Sequence, residues 1–202
     1  MLDRVHRFNQ ARPWSHNNHY HRWILRRLPT SIESALDVGC GSGDLVRLLA
    51  TRARSVVGVD RDATIIGHAP RLPNVRYVTG DALAMPDARY QVITSVAALH
   101  HLPLDQALAT FRRRLTPGGT LIVIGLYAPA TITDRLLEAL AIPTNMLISA
   151  AHGKSSPTVA MSAPVRAPAT TMAEIREQAQ RHLPGARIRR HLFWRYSLVF
   201  RA

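Results

Sequence analysis

The sequence predicts an α/β fold built on a mostly parallel sheet. Short apolar runs of strand length recur between segments with helical spacing from residue 35 to residue 125, the pattern of repeated strand–helix–strand units. The fifth such run, Thr120–Gly125, is nearly all apolar, as for a strand covered on both faces. The first strand–helix junction is a glycine turn, Gly39-Cys40-Gly41-Ser42-Gly43.

Residues 1–13 are polar and basic and end at Pro13. Ser15 or Asn17 can cap a helix that carries Tyr20, Trp23, Ile24 and Leu28 on one face and stops at Pro29. Ala35–Val38 then reads as strand one and Asp44–Ala53 as a helix, followed by Ser55–Asp60 as strand two and Ala63–Ala69 as a short helix closed by Pro70. Val75–Val78 is strand three and Tyr90–Val96 strand four. Asp105–Leu115 is a helix, Thr116–Gly119 a turn and Thr120–Gly125 strand five. Here the rhythm breaks. Thr133–Leu140 has helical spacing, Pro143 interrupts the pattern, and 152–170 is rich in Ser, Pro and Ala. A helix over 172–182 opens with Thr171 and Glu174 at capping-box spacing. Two closing strands, Ala186–Phe193 and Tyr196–Arg201, flank a tight connection at Trp194-Arg195 and bring the strand count to seven. The whole chain, 1–202, is expected to form one domain, with an N-terminal lid segment over 1–30 and a cap-like insert over 128–170.

Composition narrows the function classes. A hydrophobic share of 47% suits a folded core. No run of about 18 uncharged apolar residues is present, so no membrane span is expected. Cys40 is the lone cysteine, which excludes an internal disulfide and fits a reducing, cytoplasmic setting. The formal net charge of +13 comes almost wholly from arginine. These arginines are dispersed rather than gathered into a basic tract with interleaved aromatics, so a nucleic-acid partner is disfavoured. His16, His19 and His21 cluster without a cysteine or acid beside them, and no metal site is expected there.

The glycine turn narrows the cofactor class. Glycine lets the backbone approach a ligand closely and adopt positive φ, and the following helix offers free N–H groups. A dinucleotide fingerprint fails, because position 44 holds Asp44 in one register and position 46 holds Val46 in the other. A phosphate-binding Walker loop fails for want of a following lysine. What remains is G-x-G-x-G with an acid, Asp60, ending the next strand, where a carboxylate can accept hydrogen bonds from ribose hydroxyls.

With these pieces in place, the sequence resembles the class I S-adenosylmethionine-dependent methyltransferases, and its Trp14–Tyr20 segment resembles the N-terminal lid of the small-molecule, quinone-biosynthesis-like type. The resemblance rests on LDVGCGSG at 36–43, VVGVDRD at 56–62, GDA at 80–82, VITSVAALHHL at 92–102 and RRLTPGGTLIV at 113–123, in that order. It implies a Rossmann-like, doubly wound, seven-stranded sheet with an antiparallel final strand and an insert after strand five. It implies S-adenosylmethionine as cofactor, with Gly39, Cys40 and Gly41 cradling its methionine half and Asp37 fixing the loop. Asp60 would bind the ribose hydroxyls, Arg61 would lie beside the adenine, and Asp81 and the Ala82 amide would read its edge. Backbone carbonyls near Val96 and Ala97 would face the amine, and Tyr20 and His16 would belong to the lid. Many members of the family it resembles carry an acid in strand four where Gln91 stands.

Methyl transfer to oxygen needs a proton acceptor, a task suited to histidine. His100 and His101, just past strand four at the ligand-binding edge of the sheet, are candidates, with His19 a third and His16 and His21 more remote ones. Enzymes that methylate exocyclic amines of bases resemble one another in an (Asp/Asn/Ser)-Pro-Pro-aromatic motif, but Ser95-Val96-Ala97-Ala98-Leu99 stands there. Leu136, Leu137, Leu140, Met146 and Ile148 in the insert suit a small, partly apolar acceptor, and rim arginines suit an anionic one. The alternatives are an RNA or protein methyltransferase recruited by charge, or a cofactor-binding domain without transfer activity.

Overall fold

The computed structural model describes residues 16–131, 167–191 and 194–202, with side chains from Tyr20 onward. The elements are α1 (His16–Leu25), β1 (Ile32–Val38), α2 (Asp44–Ala50), β2 (Ala53–Asp60), α3 (Ala63–Ile66), β3 (Val75–Thr79) and β4 (Tyr90–Val96). A single 3-10 turn over Leu99–His101 follows. The chain continues through α4 (Leu104–Arg113), β5 (Leu115–Leu126), α5 (Met172–His182), β6 (Arg187–Arg190) and β7 (Arg195–Arg201).

The strands form one seven-stranded sheet in the order β3-β2-β1-β4-β5-β7-β6. Strands β1 to β5 are parallel, and β7 runs antiparallel to both of its neighbours. The strand order reverses direction between β1 and β4, the switch point where open α/β sheets open a ligand crevice. This is the doubly wound α/β architecture expected from the sequence.

Each face of the sheet is sealed by helices. On one face Leu36, Val57, Ile93, Leu121 and Leu198 pack with Ala107, Leu108 and Phe111 of α4 and with Ile175 and Ala179 of α5. On the other, Ala35, Val56, Val92, Ile122 and Ile124 pack with Leu45, Val46 and Leu49 of α2 and with Ile24 and Leu28. Neighbouring residues of β1 thus serve opposite cores, the two-sided burial of a central parallel strand. At about 25 cal/mol per Å² of apolar surface removed from water, this burial is the main stabilising term.

Several boundaries differ from the sequence expectation. β1 starts at Ile32, three residues early, because Ile32 and Ser34 pair with Ala53 and Ser55 of β2, which also starts early. α2 stops at Ala50 and α3 at Ile66, where the chain must turn into the next strand. The Thr116–Gly119 turn is real but lies inside β5. The register of β4 against β5 shifts between Tyr90 and Val92, and the extra residues bulge out with Gly118 at φ 73°. β6 ends at Arg190, and Arg195 opens β7 rather than forming the connection; Trp194 alone adopts φ 55°. The capping box of α5 is present: the Thr171 N–H donates to Glu174 Oε2 at 2.7 Å, and the Glu174 N–H donates to Thr171 Oγ1 at 3.3 Å. The expected helix over 133–140 and most of the insert lie outside the described residues. Its two ends are joined: Ala128 and Thr171 form a parallel bridge, and the Ala128 N–H donates to the Thr170 carbonyl at 2.8 Å. Among the described residues no helix is long and apolar enough to cross a membrane.

Candidate active site

The glycine turn hangs from the end of β1. The N–H groups of Gly39 and Cys40 both donate to the Val59 carbonyl, at 2.8 and 3.0 Å, which folds the turn back over β2. Gly39 sits at φ 72°, and a Cβ there would collide with the Ala98 methyl. The turn therefore packs directly on the segment that follows β4, an approach only glycine permits. A Cβ on Gly43, at φ 79°, would strike the Tyr77 hydroxyl. Gly41 has only Ile65 Cδ1 in its Cβ direction, at 3.8 Å, so this part of the turn faces an open cradle.

Asp60 ends β2 and ties the turn together. Its Oδ2 accepts the Gly41 N–H at 2.9 Å and its Oδ1 accepts the Asp62 N–H at 3.0 Å. Each carboxylate oxygen keeps acceptor capacity for a ligand hydroxyl. Asp37 lies below, 3% exposed. The Thr94 hydroxyl donates to its Oδ1 at 2.7 Å. Burial pushes this carboxyl up to about 7, against the lowering effect of the Thr94 bond and with a smaller push from the Asp60 charge. Burial likewise pushes the Cys40 thiol far above its ordinary range, with the charges of Asp37 and Asp60 adding to it. Cys40 is therefore a packing thiol and not a nucleophile.

Beyond the ends of β2 and β3, Arg61 pairs with Asp81 at 2.6 Å, and the Leu83 N–H donates to Asp81 Oδ1 at 2.9 Å. The Leu83 bond is the larger cause that holds the Asp81 carboxyl below its usual range, with Arg61 contributing. Both Asp81 oxygens are thus engaged, and Arg61 is tied to an acid rather than projecting alone. Ala82 is buried beside it. Gln91 proves to be structural: its Oε1 accepts the Glu33 N–H at 2.7 Å, and its own N–H donates to Ser34 Oγ at 3.2 Å.

The segment after β4 packs against the glycine turn from the neighbouring strand. Ala97 takes φ 54° and donates its N–H to the Ile124 carbonyl at 2.7 Å, which turns Val96–Ala98 across the sheet edge. The two adjacent histidines keep their rings together, with centroids 4.0 Å apart and planes tilted by 40°, but differ in exposure. His101 is exposed, whereas His100 is half-buried with Nδ1 shut off from solvent and without a hydrogen-bond partner. Burial is the first cause that lowers His100 to about 4, with His101 and Arg195 adding to it, so the ring is neutral near pH 7. A neutral imidazole has a lone pair to offer. His21 is buried at 7% exposure and also lowered by burial, and it lies in the field of Asp44 and Arg47 beside α2. The side chains of His16 and His19 lie outside the described ones. The Tyr20 ring meets His191 at 5.7 Å and the Arg195 guanidinium at 5.9 Å.

Three features escaped the sequence reading. Thr94 is buried on Asp37, Tyr77 fills the space left by Gly43 and Gly58, and Arg195 reaches the same sheet edge as His100. Only Gly43 and Gly58 signalled any of this, as places where another group must come close.

A methyltransferase domain family matches residues 35–119. An uncharacterized methyltransferase of Mycobacterium tuberculosis is 34% identical over 197 residues, covering 94% of this chain and 98% of that one. The chain belongs to the class I methyltransferases. A 2-phytyl-1,4-naphtoquinone methyltransferase of Thermosynechococcus vestitus is 38% identical over 108 residues, 48% of each chain. Among solved structures, the DhpI–SAH complex aligns with a TM-score of 0.61 at 17% identity, covering 99% of this chain and 92% of that one, a likeness of fold. The methyltransferase match begins at Ala35 and thus takes in the glycine turn, Asp60, Asp81 and both histidines of the 3-10 turn.

Proposed function

We propose that this methyltransferase uses S-adenosylmethionine and methylates a small-molecule acceptor. One observation carries the cofactor reading: at the switch point of the sheet, the Asp60 carboxylate is fastened to the Gly41 N–H at 2.9 Å beside a cradle that a Cβ on Gly41 would enter. That arrangement suits a nucleoside with free ribose hydroxyls and an amino-acid tail, and it has no third dinucleotide glycine for a pyrophosphate. The SAH complex of a protein with the same fold supports it.

The residues present fit the cofactor. Gly39, Cys40 and Gly41 cradle its methionine half, and Asp37, in its ionised form, offers the negative charge that an ammonium requires. Asp60 accepts from the ribose hydroxyls, and Asp81 with the Ala82 amide meets the adenine, with Arg61 at the rim. Val96 and Ala97 present backbone carbonyls to the amine. The cofactor, when bound, would supply an electrophilic methyl group on a sulfonium. The chain supplies alignment and, for a protic nucleophile, the neutral His100 as proton acceptor. His101, being exposed, is not assigned this part, and His19 is left as a lid candidate with His16 and Tyr20. The quinone methyltransferase among its relatives supports a small, partly apolar acceptor.

Calorimetry tests the cofactor assignment. S-adenosylmethionine is expected to bind the wild-type chain, and Asp60→Ala to weaken it about 100-fold, as charge-assisted hydrogen bonds to two hydroxyls are lost. Equal affinity in the variant overturns the ribose assignment.

A further inference from the structure

The antiparallel return of β7 brings one more charge to the site. Because β7 runs against β5, its first residue, Arg195, lands opposite Leu126 at the edge where β1, β4 and β5 end. Residues of a strand alternate between faces, so Arg195 shares a face with Ser197 and Val199. Val199 packs on the α1–α2 side of the sheet. On that side the guanidinium lies 5.9 Å from the Tyr20 ring centre, and its charge reaches His100. The Nε and Nη1 atoms of Arg195 are shut off from solvent and have no hydrogen-bond partner, and no carboxylate pairs with it among the described residues.

A second buried arginine shows what a structural one looks like here. Arg114, 2% exposed, donates from Nη1 to the Ala82 carbonyl at 2.6 Å and from Nη2 to the Met85 carbonyl. It stitches a loop to α4. Arg114 Nε has no partner either, but both terminal nitrogens of Arg114 are used, whereas among the described residues Arg195 Nε and Nη1 both bond to nothing. A half-buried cation without a counter-charge is costly, and arginine does not escape that cost by losing its proton at neutral pH. Such a group persists where something anionic comes to it. The neighbouring polar atom His100 Nδ1 is likewise buried and unpartnered. Two side chains near the same edge of the sheet thus keep unsatisfied hydrogen-bonding atoms.

We propose that Arg195 determines acceptor specificity by capturing a carboxylate group on the acceptor, with Tyr20 as the apolar wall beside it and His100 next to the reacting end. This rests on the small-molecule reading above and names the chemical class of its acceptor.

The test uses the full chain without cofactor, so that it stands or falls apart from the S-adenosylmethionine assignment. Benzoate, benzamide and inorganic phosphate are titrated separately at constant low ionic strength, with binding followed by ligand-observed NMR. Benzoate is expected to bind saturably and benzamide at least tenfold more weakly, because only the first carries the charge. Arg195→Gln is expected to weaken benzoate at least tenfold and Arg195→Lys to keep most of the affinity. Arg195→Met is expected to lose benzoate binding and yet to raise Tm by a few degrees, since it removes an unpaired buried charge. A structural arginine would lower Tm on the same substitution. Equal binding of benzoate and benzamide, benzoate binding unchanged in Arg195→Gln, or a lower Tm in Arg195→Met overturns the proposal. Preference for phosphate over benzoate overturns the carboxylate assignment. If S-adenosylmethionine fails to bind the wild-type chain while benzoate does, the cofactor reading fails and the anion site stands.

Discussion

The two halves of the ligand edge are wired differently. On the β1–β2–β3 side nearly every polar group has a fixed partner: Asp60 holds Gly41 and Asp62, Thr94 holds Asp37, and Arg61 and Leu83 hold Asp81. On the β4–β5–β7 side, His100 Nδ1, Arg195 Nε and Nη1, and the buried Ser95 hydroxyl have none. A half whose ligand does not vary can be assembled in advance, so that little reorganisation accompanies binding. If the acceptor is recognised on the β4–β5–β7 side, as proposed, these unpartnered groups are the ones it would engage. Tyr77 is the exception on the wired side, since its buried hydroxyl is unpartnered under the glycine turn.

The sharpest way to break this contrast is at the seam between the halves. Gly39→Val adds a Cβ against Ala98 and imposes a conformation that costs an L-residue about 1–2 kcal/mol before any clash. Cofactor affinity is expected to fall beyond detection by calorimetry, with a Tm lower by several degrees. Near-normal binding would mean that the turn is not preformed.

A smaller effect comes from Asp37. Folded, its carboxyl holds a proton up to about pH 7, whereas the unfolded carboxyl releases it near pH 4. Over that window the folded state binds more protons, so the contribution of Asp37 to stability falls as pH rises. A cofactor ammonium favours the ionised form, so binding expels the proton. Affinity is therefore expected to rise severalfold between pH 6 and pH 7.5, and Asp37→Asn to flatten that rise. A pH-independent wild-type affinity would place the ammonium elsewhere.

The smallest expected effect is at the exception. Tyr77→Phe removes a buried hydroxyl that has no partner, so Tm is expected to stay level or rise by a degree or two. A clear loss of cofactor affinity in Tyr77→Phe would show that the hydroxyl is held in reserve for the ligand, and the contrast between the halves would soften.

The sequence made the wired half legible because its signals are local. A glycine turn between an apolar run and a helix, and an acid at the end of the next run, are contiguous motifs. The bounds of β4 and of α5 were readable for the same reason, in an unbroken strand pattern and a capping box. The start of β1 was not. Glu33 and Ser34 look like loop, and only pairing with β2 draws them into the sheet. Arg195 was hidden more deeply. Beside Trp194 it reads as a connection, and its place at the ligand edge follows from β7 returning antiparallel beside β5, a relation between residues about seventy positions apart.

The bridge between Ala128 and Thr171 has a bearing on how such a chain can diversify. It fixes both ends of the intervening segment against each other, just past the end of β5. Doubling the length of a flexible segment between two fixed ends costs only about 0.6 kcal/mol in closure entropy. The Ala128–Thr171 junction can therefore close over connecting segments of different length at small entropic cost while the strands it joins to stay in register.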